Sequence, residues 1–371
     1  MGMVLWGLGL LLLLGIAGAW LLRGGTARGA QPPQRPAATP GSQRGRLAAI
    51  AAAPAEPPAA ATDQPAPAAL PLHAAELLDP LLTAPLMDAL RQLPRPPRAL
   101  HQLMSPTFLQ TATSAELAHL VMSEPAVAAR IIATANSPLY GLQQPVTSIG
   151  QATTFLGLAS VRLMCQQHLL AACFAPRDEA QRREFDVLWR ASGIAGELCL
   201  QLAPRLHVPE PGTLATLLVL SFLGRQSAAA LLPDAGVLGT MNAHERALHE
   251  QCELGLAAHE LGHLLMRAWE LPLELVDEAR TLSALCFDPQ RAVAPEREAA
   301  LALGAFCALL GERLARGQLA TGLDQLAQDD SPDMAALRRR LARPPLDALA
   351  AELQAPATLR VLGRMMGRPL D

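Results

Sequence analysis

The chain lacks lysine, contains a single tyrosine and has few aromatic residues, which make up 3% of its 371 positions. Its 30 basic residues are therefore all arginines, and 33 acidic residues offset them almost completely. Proteins that bind nucleic acids rely on a basic surface and, for single strands, on aromatic rings that stack with bases. Because this sequence has an excess of neither, we expect no nucleic-acid partner.

Paired cysteine motifs are also missing. The cysteines are scattered along the chain without a CxxC spacing: Cys165, Cys173, Cys199, Cys252, Cys286 and Cys307. In a chain long enough to bury a core, such cysteines are typical of small buried side chains in a reducing compartment. We therefore expect no disulfide framework.

What the sequence does contain is alanine and leucine at helical spacing. Unbranched side chains favour helices because they lose little rotamer freedom there, whereas strands prefer β-branched and aromatic residues. Capping boxes at Thr113 with Glu116 and at Ser148 with Gln151 predict helix starts, as does Ser123 ahead of a proline. The apolar spacing over residues 149–163 predicts one helix, and no run of strict alternation appears. The sequence predicts an all-α fold.

An uncharged apolar run occupies residues 3–22. Twenty helical residues span about 30 Å, the hydrocarbon thickness of a bilayer, and tryptophans lie near both ends of the run. No basic residue precedes it, whereas five arginines follow within residues 23–46. This bias predicts a single-pass transmembrane anchor at residues 1–23 in the cytoplasmic membrane, with the rest of the chain in the cytoplasm. A cleaved signal peptide is the alternative, but the basic segment that opens such peptides is absent.

A proline-rich segment follows the anchor. Ten prolines fall within residues 31–71, among alanine, glutamine, threonine and glycine. Such a stretch cannot bury enough apolar surface to offset its ordering entropy, so residues 24–75 are predicted to be a disordered spacer. The helical pattern then predicts a domain at residues 76–315. Further helical segments at residues 296–316 and 334–366 are expected to pack at its end, with the tail comprising residues 316–371.

Three segments carry a specific motif pattern. Leu93-Pro94 opens the first, and Glu124-Pro125 leads in the second to Asn136-Ser137 ahead of Tyr140-Gly141. Thr147-Ser148-Ile149 then precedes Leu156-Gly157. This pattern resembles the HDOD domain, a bacterial signalling module related to the HD superfamily of metal-dependent phosphohydrolases. The resemblance covers about residues 80–315. It implies a two-lobed helical domain that acts in signalling by binding a partner.

The sequence departs from the HD superfamily at the metal ligands. That superfamily holds its metal through a histidine on one helix and a His-Asp pair on the next, and relatives often add a later His-His pair. The corresponding positions here are Ala191, the pair Ser221-Phe222 and the pair Leu282-Ser283. Alanine, leucine and phenylalanine offer no ligand atoms to a divalent ion. The resemblance therefore implies no metal, no cofactor and no catalysis, and a residual HD-type phosphohydrolase remains an alternative.

A second enzymatic alternative is a zinc metallopeptidase, because His259-Glu260-Leu261-Gly262-His263 reads HExxH. A convincing third ligand is missing, although Glu274 and Glu278 follow in the sequence. The helical wheel places both histidines with Arg267 and Glu270 opposite an apolar face. We therefore expect an amphipathic helix with a solvated polar face.

Five polar residues form a candidate partner- or effector-binding site: Asn136, Ser137, Tyr140, Thr147 and Ser148. The alternative is a local structural role. Asn136 before a proline suits a helix end in the left-handed conformation, whereas Thr147 and Ser148 suit helix starts. We expect a membrane-anchored regulatory module that captures a signalling protein or a small effector in a groove between its two lobes.

Overall fold

The computed structural model describes residues 68–137, 142, 144–319 and 329–366 of the protein. The predicted membrane segment at residues 1–23 and most of the predicted spacer lie outside these described residues. The described part is helical and contains no β-strand, which confirms the all-α prediction for it. Its α-helices are α1 (Pro80–Gln92), α2 (Arg98–Leu103), α3 (Pro106–Thr111), α4 (Ser114–Met122), α5 (Pro125–Ala135), α6 (Ile149–Leu156), α7 (Leu158–Ala171), α8 (Glu179–Arg205), α9 (Pro211–Ser221), α10 (Leu223–Leu231), α11 (Ala243–Leu254), α12 (Ala258–Ala268), α13 (Leu273–Ala284), α14 (Pro295–Ala315), α15 (Pro332–Leu341), α16 (Leu349–Leu353) and α17 (Pro356–Met366).

The two longest helices, α8 and α14, pack along each other at the centre of the domain. Their backbones come close because Gly311 of α14 has no side chain, and a β-carbon there would lie 2.6 Å from the carbonyl oxygen of Ala191 in α8. Helices α9 and α13 complete this layer, and α7 joins it to the N-terminal helices α2–α6. One hydrophobic core runs through both groups of helices.

Within the described residues, one apolar stretch, Pro211–Leu231, is long enough by length and composition to cross a membrane. It comprises α9 and α10 and is mostly buried, with α9 packed against α7, α8, α13 and α14. A helix that is apolar on all sides is expected at the centre of a large helical domain. The apolar character of this stretch is therefore explained by its place in the core.

The helix starts follow the predicted chemistry in part. At Thr113 the capping box is confirmed, because Thr113 Oγ1 accepts from the Glu116 N–H (3.2 Å) and Glu116 accepts from the Thr113 N–H (2.7 Å). Ser148 caps α6 by accepting from the Gln151 N–H at 3.2 Å. The Gln151 carboxamide, however, accepts from the Thr147 N–H, one residue earlier than in a capping box.

Two predictions about helix boundaries are wrong. Ser123 does not start α5; it ends α4, and its hydroxyl donates to the carbonyl of Leu120 at 2.6 Å. The single helix predicted over residues 149–163 is broken at Gly157, which has a φ of +88°. Residues that carry a side chain rarely adopt that backbone conformation, so the glycine permits the chain to turn between α6 and α7.

Residues 70–75 belong to the predicted spacer but contact the helical domain in the structure. The Leu70 N–H donates to the carbonyl of Phe287 (2.9 Å), and the His73 N–H donates to Gln251 Oε1 (2.5 Å). A short 3₁₀ helix at Ala75–Leu77 leads into α1. We call residues 70–77 the N-terminal strap. Its backbone groups are ordered by partners on α11 and after α13, which composition alone cannot reveal.

Candidate functional site

Three of the five positions that correspond to the HD ligands are occupied by buried apolar side chains. Ala191 is fully buried where α8 meets α14, and Leu282 is buried in α13. Phe222 lies between α9 and α10 and is the largest of the fully buried side chains. Only Ser221 and Ser283 line a common cavity, and it has a volume of about 20 Å³. That is room for about one water molecule.

Cationic side chains surround this small cavity. Arg225 and Arg246 line it together with the two serines, and the Arg225 guanidinium lies 4.7 Å from the centre of the Phe222 ring. A divalent ion at this position would face two arginines, and the cavity lining offers it one carboxylate and one imidazole, those of Glu250 and His259. The residues present therefore do not fit the metal that the HD superfamily holds.

A buried ion cluster holds these arginines in place. Glu312 of α14 pairs with Arg246, with Arg225 at 3.3 Å and with Arg316 at 2.9 Å. Arg316 also binds Glu184 of α8. Burial by itself would raise the pKa of Glu312, but the three arginines lower it well below its usual value. The cluster ties α8, α10, α11 and α14 together through charges that water does not screen.

A second buried carboxylate, Glu250, lines the same cavity and has the opposite electrostatic character. Burial raises its pKa to about 7, and the opposing effects of Arg246 and the Ala258 N–H do not cancel this. That N–H donates to Glu250 Oε2 at 2.8 Å. His259 lines the cavity as well, and burial lowers its pKa to about 4, so its imidazole is neutral near pH 7.

The HExxH segment lies on α12, but its polar face is not solvated, so that prediction is wrong. His259, Glu260 and His263 are all buried, whereas Arg267 and Glu270 are exposed as predicted. The N-terminal strap and α13 cover this face. A helical wheel shows the residues of one helix only, so it cannot include these covering elements. Amphipathicity alone could not detect this, because the covering residues are distant in sequence or belong to another helix.

Glu260 is fully engaged by Arg280 of α13. Arg280 Nε and Nη2 donate to its two carboxylate oxygens at 2.8 and 2.7 Å, and the Ala75 N–H adds a bond of 2.9 Å. Arg280 also makes two bonds of 2.7 Å to Glu76 in the strap. The Arg280 hydrogen bond is the largest cause that lowers the pKa of Glu76, to about 2.

This arrangement does not suit a zinc peptidase. A catalytic glutamate must be free to take a proton from water, but Glu260 is saturated by Arg280 and Ala75. In addition, Gly262 packs against Gly224 of α10, where a β-carbon on Gly262 would lie 2.9 Å from the Gly224 nitrogen. The glycine of the motif thus has a packing role. Across the described residues, no three His, Cys, Asp or Glu side chains are grouped so as to hold a metal ion.

The residues of the candidate binding site have local partners. Asn136 Nδ2 donates to the Val146 carbonyl (2.7 Å), and the Val146 N–H donates to Asn136 Oδ1 (2.6 Å). Asn136 therefore closes the loop between α5 and α6, with a φ of −85° and not the left-handed conformation predicted for it. Thr147 and Ser148 are exposed and bind Gln151 or its backbone.

The other two residues of that candidate site are less defined. Ser137 Oγ is buried and makes no hydrogen bond to another described residue. Tyr140 lies outside the described residues. The structure thus gives three of the five residues local structural contacts, and the binding role of the set stays a prediction.

A groove that the sequence analysis had not located by residue runs along α8. One cavity of about 450 Å³ lies between α7 and α8, with α5 and α6 on one side and α17 at the end. A second cavity of about 460 Å³ adjoins it through Gln201 and Val361 and continues along α17 to Ala357 and Arg360. We call these two cavities together the α8 groove. Its walls come from residues up to 235 positions apart, from Arg130 to Met365, so no local pattern could predict it.

Comparison with known proteins identifies the fold. The family model of the HDOD domain matches residues 93–284. An HDOD domain protein of unknown function from Geobacter sulfurreducens has a TM-score of 0.53 and 19% identity, over 76% of this chain and 96% of that one. A candidate signal transduction protein from Marinobacter aquaeolei VT8 has a TM-score of 0.53 and 20% identity, over 76% of this chain and 60% of that one.

A candidate phosphohydrolase from Shewanella amazonensis SB2B has a TM-score of 0.52 and 18% identity, over 76% of this chain and 97% of that one. At these identities the likeness to each solved structure shows the fold alone. No curated protein matches the chain.

Proposed function

This chain belongs to the HDOD domain family, and from that premise we propose that it is a non-catalytic regulatory protein that binds a partner at the cytoplasmic face of a bacterial membrane. The family and the likeness to a candidate signal transduction protein support a regulatory role. The finer parts of the proposal are the lack of catalysis, the membrane anchor and the partner.

The lack of catalysis is proposed from the residues that occupy the positions of the HD metal ligands. Ala191 and Phe222 have no ligand atoms, and Arg225 and Arg246 line the small cavity beside Ser221. A divalent cation would have to displace arginines that are held by Glu312. These residues support a role in binding without hydrolysis.

Metal binding and turnover test this part together. The full-length protein, purified in detergent, is loaded with Mn²⁺ or Zn²⁺, desalted and assayed for bound metal and for hydrolysis of bis(p-nitrophenyl) phosphate and a casein peptide. We expect less than 0.1 equivalent of metal, on the order expected for adventitious binding, and no turnover above the buffer rate. One equivalent of zinc that is lost in His263→Ala, with peptide cleavage, would establish the peptidase instead. Metal with phosphodiester turnover that survives His263→Ala would establish a phosphohydrolase.

The membrane anchor is proposed from residues 3–22, whose length and lack of charge suit a bilayer span. Attachment to the membrane would confine the regulatory domain to a thin layer and raise the effective concentration of any partner in the same membrane. The spacer after the anchor would let the domain reach on the order of 40 Å from the bilayer.

A single cysteine makes this topology testable. Of all six cysteines only Cys252 is exposed, and burial raises the pKa of Cys165 and Cys286 to about 12. A membrane-impermeant maleimide should therefore label the protein only after spheroplasts are lysed, and Cys252→Ser should remove that labelling. Labelling in intact spheroplasts would place the domain outside the cytoplasm, and release of the protein by carbonate would refute the anchor.

The partner is proposed to be a signalling protein or a small effector, and the candidate contact residues can be tested by affinity capture. Asn136→Ala and Tyr140→Ala are compared with the unmodified chain in detergent, with circular dichroism as the fold control. If both variants fold and recover the same partners, these two residues are not part of the binding site.

A further inference from the structure

We propose that the α8 groove is the docking surface for an amphipathic helix of a partner protein that carries carboxylate side chains beside its apolar face. This inference rests on the proposed function, because it assumes that the domain acts by binding. It goes beyond it by naming the surface and the chemistry of the partner.

The shape of the groove favours a helical segment as the occupant. The lining residues of α8 recur at helical steps from Trp189 through Gly193 and Glu197 to Gln201. Twelve residues of helix cover about 18 Å, which matches three turns of a second helix laid alongside. The adjoining cavity at Gln201 extends this path along α17. The two adjoining cavities thus follow one helix and then the next, an elongated shape that suits a helix laid in a groove.

The floor of the groove is apolar and adaptable. Leu163 and Ile194 are buried at its base, whereas Met164 and Met365 are only partly buried. Flexible methionine side chains adapt to the side chains that enter such a groove. Phe155 on the rim remains 46% exposed although it lies beside this floor. Apolar anchors at i, i+3 or i+4, and i+7 of a partner helix would cover these groups.

The charges around the groove select an acidic partner. Arg130 and Arg190 are exposed at the rim, and neither has a hydrogen bond or ion pair with another residue in the described part of the chain. At the other end, within the described residues, the Arg360 guanidinium donates to a carbonyl of its own helix, that of Pro356 at 3.1 Å. Glu197 is the one carboxylate that lines either cavity, among the residues described. Three cationic groups around an apolar floor are complementary to a helix flanked by aspartate or glutamate.

A photocrosslinking experiment tests both the surface and the partner. Benzoylphenylalanine replaces Phe155 in the full-length protein in living cells. The matched control carries it in place of Leu248, which is similarly exposed (43%) but lies on α11, away from the groove. After irradiation, the adducts are digested and the crosslinked peptide is identified by mass spectrometry.

We expect position 155, but not position 248, to crosslink one other protein through a segment with helical apolar spacing and flanking carboxylates. Adding Arg130→Glu and Arg190→Glu should lower the adduct yield about tenfold or more, whereas the same sites changed to glutamine should lower it less. Maleimide labelling confined to Cys252 checks that each variant remains folded.

Several outcomes would overturn the inference. These are an adduct with a lipid or with a second copy of this chain, a crosslinked segment without acidic residues, equal adducts from both positions, no adduct, or a yield unaffected by charge reversal. Such a failure leaves the metal and turnover results of the proposed function untouched. Conversely, turnover in those assays would refute the proposed function even if the groove captured an acidic helix.

Discussion

Glu250 lines the small cavity beside Ser221 and Ser283, and it provides the sharpest test of the electrostatics there. It is 2% exposed, and burial raises its pKa to about 7. Replacing it with glutamine keeps an oxygen that can accept from the Ala258 N–H and mimics the protonated acid. The substitution therefore removes the ionisation while it leaves shape and hydrogen bonding nearly unchanged.

The magnitude follows from the difference between the folded and unfolded pKa values. Since the folded pKa is about 7 and the usual value is 4.5, the folded state binds more protons between these two pH values. Glu250 therefore lowers the free energy of unfolding as the pH rises from about 4.5 to 7, by about 3 kcal/mol in total. In Glu250→Gln this loss is absent, so the variant should gain stability relative to the parent across that window.

Equilibrium urea unfolding of the full-length protein in mild detergent, followed by far-ultraviolet circular dichroism at pH 4.5, 6 and 8, measures this difference. Subtracting the two unfolding free energies at each pH cancels the titration of groups that both proteins share. A difference that stays constant from pH 4.5 to 8, or that changes in favour of the parent protein, would refute the assignment of a destabilising charge to Glu250.

Three further predictions concern stability and local order. Glu312→Gln leaves three arginines without their shared carboxylate and should lower the free energy of unfolding by about 3–5 kcal/mol in urea titrations. Gly224→Ala would force a β-carbon into the carbonyl of Ala258 and should cost about 1–3 kcal/mol, seen as a lower melting temperature, whereas the control Gly150→Ala places its β-carbon 4.0 Å from the nearest atom. Asn136→Ala should speed proteolysis between α5 and α6 with little change at other sites, because only that loop loses both bonds.

Local chemistry was well predicted where one segment contains all the partners. The Thr113–Glu116 capping box forms as expected because its donors and acceptors lie within four residues of each other. The prediction at Ser123 was wrong because a serine between two helices can end the first or start the second, and the local sequence does not distinguish these cases. Gly157 was overlooked because its neighbours keep the helical apolar spacing across the break.

The candidate site was harder to predict because its parts come from distant segments. The replacement of metal ligands by Ala191 and Phe222 could be inferred from the family pattern. The arginines that surround that position could not, since Arg225 and Arg246 lie on separate helices and are joined only through Glu312. Similarly, the HExxH motif reads as a surface helix until Arg280 and the N-terminal strap are placed over it.

Composition, periodicity and the HDOD motif together determined the helical class, the family and the absence of the usual metal ligands. These properties depend on residue type and on spacing within a few helical turns, which any single segment expresses by itself. Tertiary structure alone decided which polar groups are buried, which charged residues pair with one another among those described, and which residues of the predicted spacer contact the domain. The physical reason is that burial and charge pairing are set by whichever distant segment packs against a residue, and the chain order does not record that neighbour.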